Sequence, residues 1–246
     1  CMDALTVGEL NTAVGYGALG ASVDGSYNAA FGHQALEVFE AGSNEGENTA
    51  LGYRAGRYIS TGVSNTFVGS QAGQAISGTP SVGDNNTAVG KDALLAIQTG
   101  DNNTAVGKDA LKAITIGGDN VAIGKVALDG AGVNPSSSTA IGYSASRYAQ
   151  GNSNVSLGHS ALKGNNAGNF VGTNNIAIGF ESMDALEVGE EYNIAIGSGA
   201  IGAMQEGSGG GDVDNNIAIG RDAFKGGDLA ANDRQVQGNI AIGSYA

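Results

Sequence analysis

Polar, small and apolar positions recur along this chain in a single frame, thirteen times over. Asn86–Ile97 reads NTAVGKDALLAI, and Asn103–Ile114 reads NTAVGKDALKAI. The frame also starts at Asn11, Asn28, Asn48, Asn65, Asn120, Ser138, Asn154, Asn175, Asn193, Asn216 and Asn239, with spacings of 16 to 23 residues. We number the Asn slot zero. Slot one is Thr, Val, Ile or, once, Ala29, and slot two is small except at Phe67. Slot three is apolar in every unit. Slot four is always glycine: Gly15, Gly32, Gly52, Gly69, Gly90, Gly107, Gly124, Gly142, Gly158, Gly179, Gly197, Gly220 and Gly243. Side chains alternate along an extended segment, so slots one and three share a face. The pattern predicts one short strand per unit, with slots one and three turned inward. Slot one drifts from Thr to Ile176, Ile194, Ile217 and Ile240, which predicts a drier interior toward the C-terminus.

Glycine at slot four predicts a positive φ or a close backbone approach. Slot seven is Ala except at Ser182, slot eight is often Leu, and slot eleven is often apolar. These three would fit a helical turn as well as a second strand. A unit this short has no room for a real helix, a strand and two loops. The expected fold is therefore all-β: a parallel β-solenoid or β-roll of about thirteen short repeats, as one array over residues 1–246. Stacked coils would place the slot-zero asparagines in a column, where their amides can bond from coil to coil. One unit cannot bury its own core, so stability is a sum over neighbours. Slots two and seven are nearly all alanine or smaller, so a coil encloses little volume. Part of its apolar surface is expected to face a partner chain, with three chains around one axis as a homotrimer, intertwined or side by side. The first and last residues both fall inside a unit, as expected for a window on a longer fibre.

Composition narrows the function. Of 246 residues, 43 are Gly and only two are Pro, without the triplet period that collagen needs. The net charge of −13 repels phosphate backbones, so no nucleic-acid partner is expected. No run of about 20 apolar residues suggests a membrane-inserted helix, and no leader sequence is visible at the start. Cys1 is the single cysteine and cannot form an intrachain disulfide.

Candidate chemistry is sparse. Gly15–Gly20 and Gly197–Gly202 spell GxGxxG, but the repeat generates both matches and no βαβ unit follows. His33 and His159 share slot five with Tyr, Lys, Ser and Arg, a permissive slot that points to solvent. Asp84, Asp101, Asp212 and Asp214 lie in connections whose spacing matches no calcium loop. No paired carboxylates or nucleophile–base set stands outside the repeat, so neither an enzyme nor a cofactor or metal is expected. The longer connections are the better contact candidates, because insertions project from a solenoid's flank. Near them lie Tyr27, Tyr58, Tyr148, Phe170 and Tyr192, residue types that suit saccharide or protein surfaces.

The NTAVGxxAL and NIAIGxxA units resemble two related families. One is the head domain of trimeric autotransporter adhesins, and the other is the repeat shaft of bacteriophage tail fibres. The resemblance covers essentially the whole chain. It implies a trimeric parallel β-roll outside the cell. In the phage case it implies a virion fibre that holds a receptor-binding tip, joins other fibre or baseplate proteins, and touches a host-surface glycan or protein. In the adhesin case the place is the bacterial surface. The units here are longer and more irregular than adhesin-head units, which favours the tail fibre. A carbohydrate-active enzyme would need clustered acids on one coil face. An ice-binding solenoid would need an unbroken Thr array, and slot one loses its Thr after Thr139.

Overall fold

In a computed structural model, residues 1–39, 46–79, 81–130, 134–164, 172–184, 189–202, 213–225 and 236–246 are described. The chain divides into two compact units, Cys1–Asn120 and Val121–Ala246. Both are parallel β-solenoids, and the described residues contain no helix.

The first unit carries β1 (Thr12–Val14), β2 (Ala29–Phe31), β3 (Thr49–Leu51), β4 (Thr66–Val68), β5 (Thr87–Val89) and β6 (Thr104–Val106). They pair parallel, each with the next in the chain, always slot to slot: Thr12 with Ala29, Ala13 with Ala30, Val14 with Phe31. The second unit carries β7 (Val121–Ile123), β8 (Thr139–Ile141), β9 (Val155–Leu157), β10 (Ile176–Ile178), β11 (Ile194–Ile196), β13 (Ile217–Ile219) and β15 (Ile240–Ile242), paired in the same way. A second short pair, β12 (Val213–Asp214) with β14 (Val236–Gln237), runs beside the last coils.

Slots four to eleven are neither helix nor strand but a run of tight turns. The slot-seven amide bonds back to the slot-four carbonyl, as Ala93 does to Gly90, with a positive φ at slot six (Asp92, 57°). That is the signature of a type II turn. Leucine at slot eight also takes positive φ, 53° at Leu94 and 50° at Leu111. Such strain is tolerated because the turns bond to adjacent coils: Leu94 N–H donates to Ala110 O, and Asp109 N–H to Lys91 O. Slot-four glycine meets both expectations. Gly90 has φ 134°, and a Cβ there would lie 2.7 Å from the Gly107 carbonyl carbon.

The sidedness of the strand is the reverse of the expectation. Slot two is buried in every strand from β2 to β13 that follows the frame, while slots one and three are outside, partly or fully exposed. The reason is volume. Slots eight and eleven fill the coil from the turn side, with Leu36, Phe39, Leu94, Ile97, Leu111 and Ile114 all fully buried. Only alanine then fits at slots two and seven. The drift of slot one toward Ile therefore makes the outer face more apolar, not the interior drier.

Exceptions in the core compensate for one another. Slot eight is glycine at Gly56 and Gly73, and the fully buried Phe67 ring occupies that space from slot two. A Cβ on Gly73 would lie 2.1 Å from the ring, and one on Gly56 2.8 Å. In the second unit Ser146 at slot eight donates to Ser156 at slot two, Oγ to Oγ at 2.8 Å, satisfying two buried hydroxyls.

Candidate functional site

The slot-zero asparagines are scaffold. Each Oδ1 accepts the backbone N–H of the next slot zero, from Asn28 on Asn11 at 2.9 Å to Asn103 on Asn86 at 2.9 Å. Nδ2 generally donates to a carbonyl three residues before that next slot, as Asn86 does to Gly100 (2.8 Å) and Asn103 to Gly117 (3.0 Å), whereas Asn28 donates to Ser26 O (3.0 Å). The second unit repeats this, with Asn193 N–H on Asn175 Oδ1 and Asn216 N–H on Asn193 Oδ1, and Ser138 Oγ standing in for one amide. From Asn28 to Asn216 these side chains are buried and bonded from coil to coil, so they form a structural ladder. Asn154, the first residue of a glycosylation triplet, lies inside this ladder.

A second ladder escaped the sequence reading. The residue two before slot zero accepts the equivalent backbone N–H of the preceding coil: Val63 on Asp84 Oδ1 and Asp84 on Asp101 Oδ1, both 2.8 Å. Glu191 donates likewise to Asp214 Oδ1 at 2.7 Å. The connection aspartates are thus acceptors that lock coil to coil. Asp212 lies outside the described residues. No group of three or more His, Cys, Asp or Glu that could hold a metal ion occurs among the described residues.

The five aromatic candidates are not brought together. Tyr27 and Tyr192 both occupy the position before slot zero, at φ 59°, more than half exposed. Tyr27 lines an open pocket of about 240 Å³ with Val7, Glu9 and Ser26. Tyr58 and Tyr148 both occupy slot ten, each under the preceding arginine: Arg57 at 4.7 Å and Arg147 at 5.0 Å from the ring centroid. Phe170 lies outside the described residues, as do the centres of the longer connections. The two histidines lie at solvent, but inside ring stacks. His33 lies 5.3 Å from Tyr16 and 5.5 Å from Tyr53, and His159 lies 5.0 Å from Tyr143 and 5.2 Å from Phe180.

The dominant surface feature is the outer face of the strands. In the first unit Leu51 is 51% exposed, with Phe31 and the Val residues of β4 to β6 in the same rows. In the second unit the rows are Val, Ile and Leu except for Thr139, with Ile123 40% and Leu157 46% exposed. Rows of exposed apolar side chains of this kind are what interaction surfaces are commonly built from. Backbone pairing from strand to strand runs beneath this face, and Thr hydroxyls line its slot-one row in the first unit. No protein-family model, curated protein or solved structure matches the chain. No helix among the described residues is long and apolar enough to cross a membrane.

Proposed function

We propose that the chain is a shaft segment of a bacteriophage tail fibre, in which three copies pack their outer strand faces around a common axis. The observation that carries this reading is the outward face of the strands, where slot three is apolar in every strand and slot one is Val or Ile in six of the seven strands of the second unit. Burying each half-exposed Val, Ile or Leu there contributes on the order of 1 kcal/mol. The ladders of backbone and Asn bonds resist extension, as a load-carrying fibre requires. Three copies also multiply weak surface contacts into useful avidity. The resemblance of the NTAVG and NIAIG units to tail-fibre and trimeric-adhesin repeats supports three chains over two.

The test is immunogold electron microscopy with antibodies against this chain. Labelling along the tail fibres of virions supports the shaft. A second reading, a bacterial surface adhesin of the same fold, is favoured by the NIAIG form of the last four units, which is closest to the adhesin pattern. Gold on the envelope of uninfected cells, with none on virions, would establish that reading instead.

A further inference from the structure

Charge is sorted by sign about the outer strand face. The two positions before slot zero hold seven acids over the thirteen units and no Lys or Arg. Slot five, just past the strand, holds Lys91, Lys108, Lys125 and Arg221 and no acid. Those four are drawn from only eleven Lys and Arg in the whole chain, so the sorting is not a by-product of composition. In three coils both borders of the strand are charged, seven residues apart: Asp84 with Lys91, Asp101 with Lys108, and Asp214 with Arg221.

Both borders are set in place by the coils themselves. Backbone N–H groups of the preceding coil donate to Oδ1 of Asp84, Asp101 and Asp214 at 2.8, 2.8 and 2.7 Å. A carboxylate has a second oxygen with which to accept a further donor. On the opposite border Lys91 and Lys108 each pair with the next residue, Asp92 and Asp109. Those two carboxylates are buried, whereas the lysine side chains are 53% and 52% exposed. Arg221 lies over the Tyr245 ring at 5.2 Å, beside Asp222, and is 67% exposed. The outermost charge is therefore negative before the strand and positive after it.

We propose that the acidic border of one copy pairs with the basic border of the next, Asp84 on Lys91, Asp101 on Lys108 and Asp214 on Arg221, and that this pairing sets the copies parallel and at one level. Resting on the reading that further copies cover the strand faces, it names the contacts that orient them. Rotation about an axis along the coil stack keeps height. It also brings the leading edge of one face to the trailing edge of its neighbour, so each acid meets the base of its own coil. A twofold axis across the stack would set acid against acid and base against base, which is unfavourable. The occupant is a second copy because the complement of each border is the other border of the same face, at the same height. Exposed pairs at a rim govern direction and register more than affinity, which the apolar rows between them supply.

The test is zero-length carbodiimide coupling of the full chain, followed by mass spectrometry of its tryptic peptides. Amide links from Lys91 or Lys108 to Asp84 or Asp101 are expected. Within one chain the strand alone separates the two borders by roughly 13 Å, at about 3.3 Å per residue, so such a link joins two copies. The Lys91→Glu, Lys108→Glu double variant should associate at least tenfold more weakly in sedimentation equilibrium, with its circular dichroism unchanged. Lys112→Glu reverses the other lysine beside Asp109, at slot nine beyond the turn, and should leave association as it is. Coupling of the unaltered chain gives its answer whether or not the variants fold. An associated chain that yields no such link, full association of the double variant, or equal weakening by Lys112→Glu would overturn the pairing and leave the three-copy reading standing. A chain that stays single in solution would overturn both.

Discussion

Phe67 and Gly73 offer a quantitative test of how the coils fill. Twelve of the thirteen units have a small slot two, and Phe67 is the exception. Its ring is fully buried in the space left by the glycines at slot eight of its own coil and the preceding one. Phe67→Ala should cost about 3–5 kcal/mol, the usual range for a buried phenyl truncated to a methyl. Gly73→Leu alone should also destabilise, because its Cβ would enter the ring at 2.1 Å. Overpacking of that kind costs about 1–3 kcal/mol. The left-handed backbone there, φ 57°, adds about 1–2 kcal/mol for a residue with a side chain. Leucine nonetheless occupies that conformation at Leu94 and Leu111. With the Phe67 ring removed, a leucine side chain introduced by Gly73→Leu finds the cavity it needs, and the double variant recreates the usual Ala–Leu coil. It should be more stable than Phe67→Ala, though still below wild type, because the share of the void beside Gly56 remains. The coupling should reach at least about 2 kcal/mol, in the upper part of the range for contacting residues. The assay is urea unfolding followed by far-ultraviolet circular dichroism, at one fixed protein concentration because association contributes. Additive effects would show that Phe67 does not occupy the slot-eight space, and the inward assignment of slot two would fail with it.

Further outcomes follow from the ladders and the ion pairs. Asn103→Ala strips partners from the buried Asn120 N–H and Gly117 carbonyl and should lower stability by about 2–5 kcal/mol in the same assay. Asn103→Asp keeps the acceptor but turns a buried carboxylate toward Gly117 O, and should lose at least as much at neutral pH. Burial works to raise the Asp109 pKa, but hydrogen bonds from Lys108 and Lys112 outweigh it, and the group titrates below its ordinary value of 3.8. Its contribution is present above that value and disappears as pH falls through the lower folded pKa. Asp109→Asn should therefore cost up to about 1 kcal/mol at pH 7, since both lysines are half exposed, and progressively less as pH falls below 3.8. A pH-independent loss would show that Asp109 acts through packing.

The parts of the fold that depend on backbone repetition were legible in the residues. The thirteenfold frame, the strand at slots one to three, the glycine approach at slot four and the Asn column all follow from chemistry that must recur in every coil. The inward side of the strand did not follow, because hydrophobicity points to Val and Ile rather than to alanine. The usable signal was constancy of size. Slot two is Ala in eleven units because a narrow interior fixes volume, whereas slot three ranges over Val, Ile, Leu and Phe. The exchange of bulk between Phe67 and the two glycines could be read only once the coils were stacked. The slot-five columns point to solvent because Tyr, His and Lys look interchangeable there, and only the stacked coils show that their rings lie against one another.

Everything functional rests on the outward apolar face being covered by further copies of the chain. Light scattering of the purified chain after size exclusion measures this directly. The account predicts about 73 kDa, three times the chain mass of 24.3 kDa. A species of 24.3 kDa, with the strand face left in water, would contradict it.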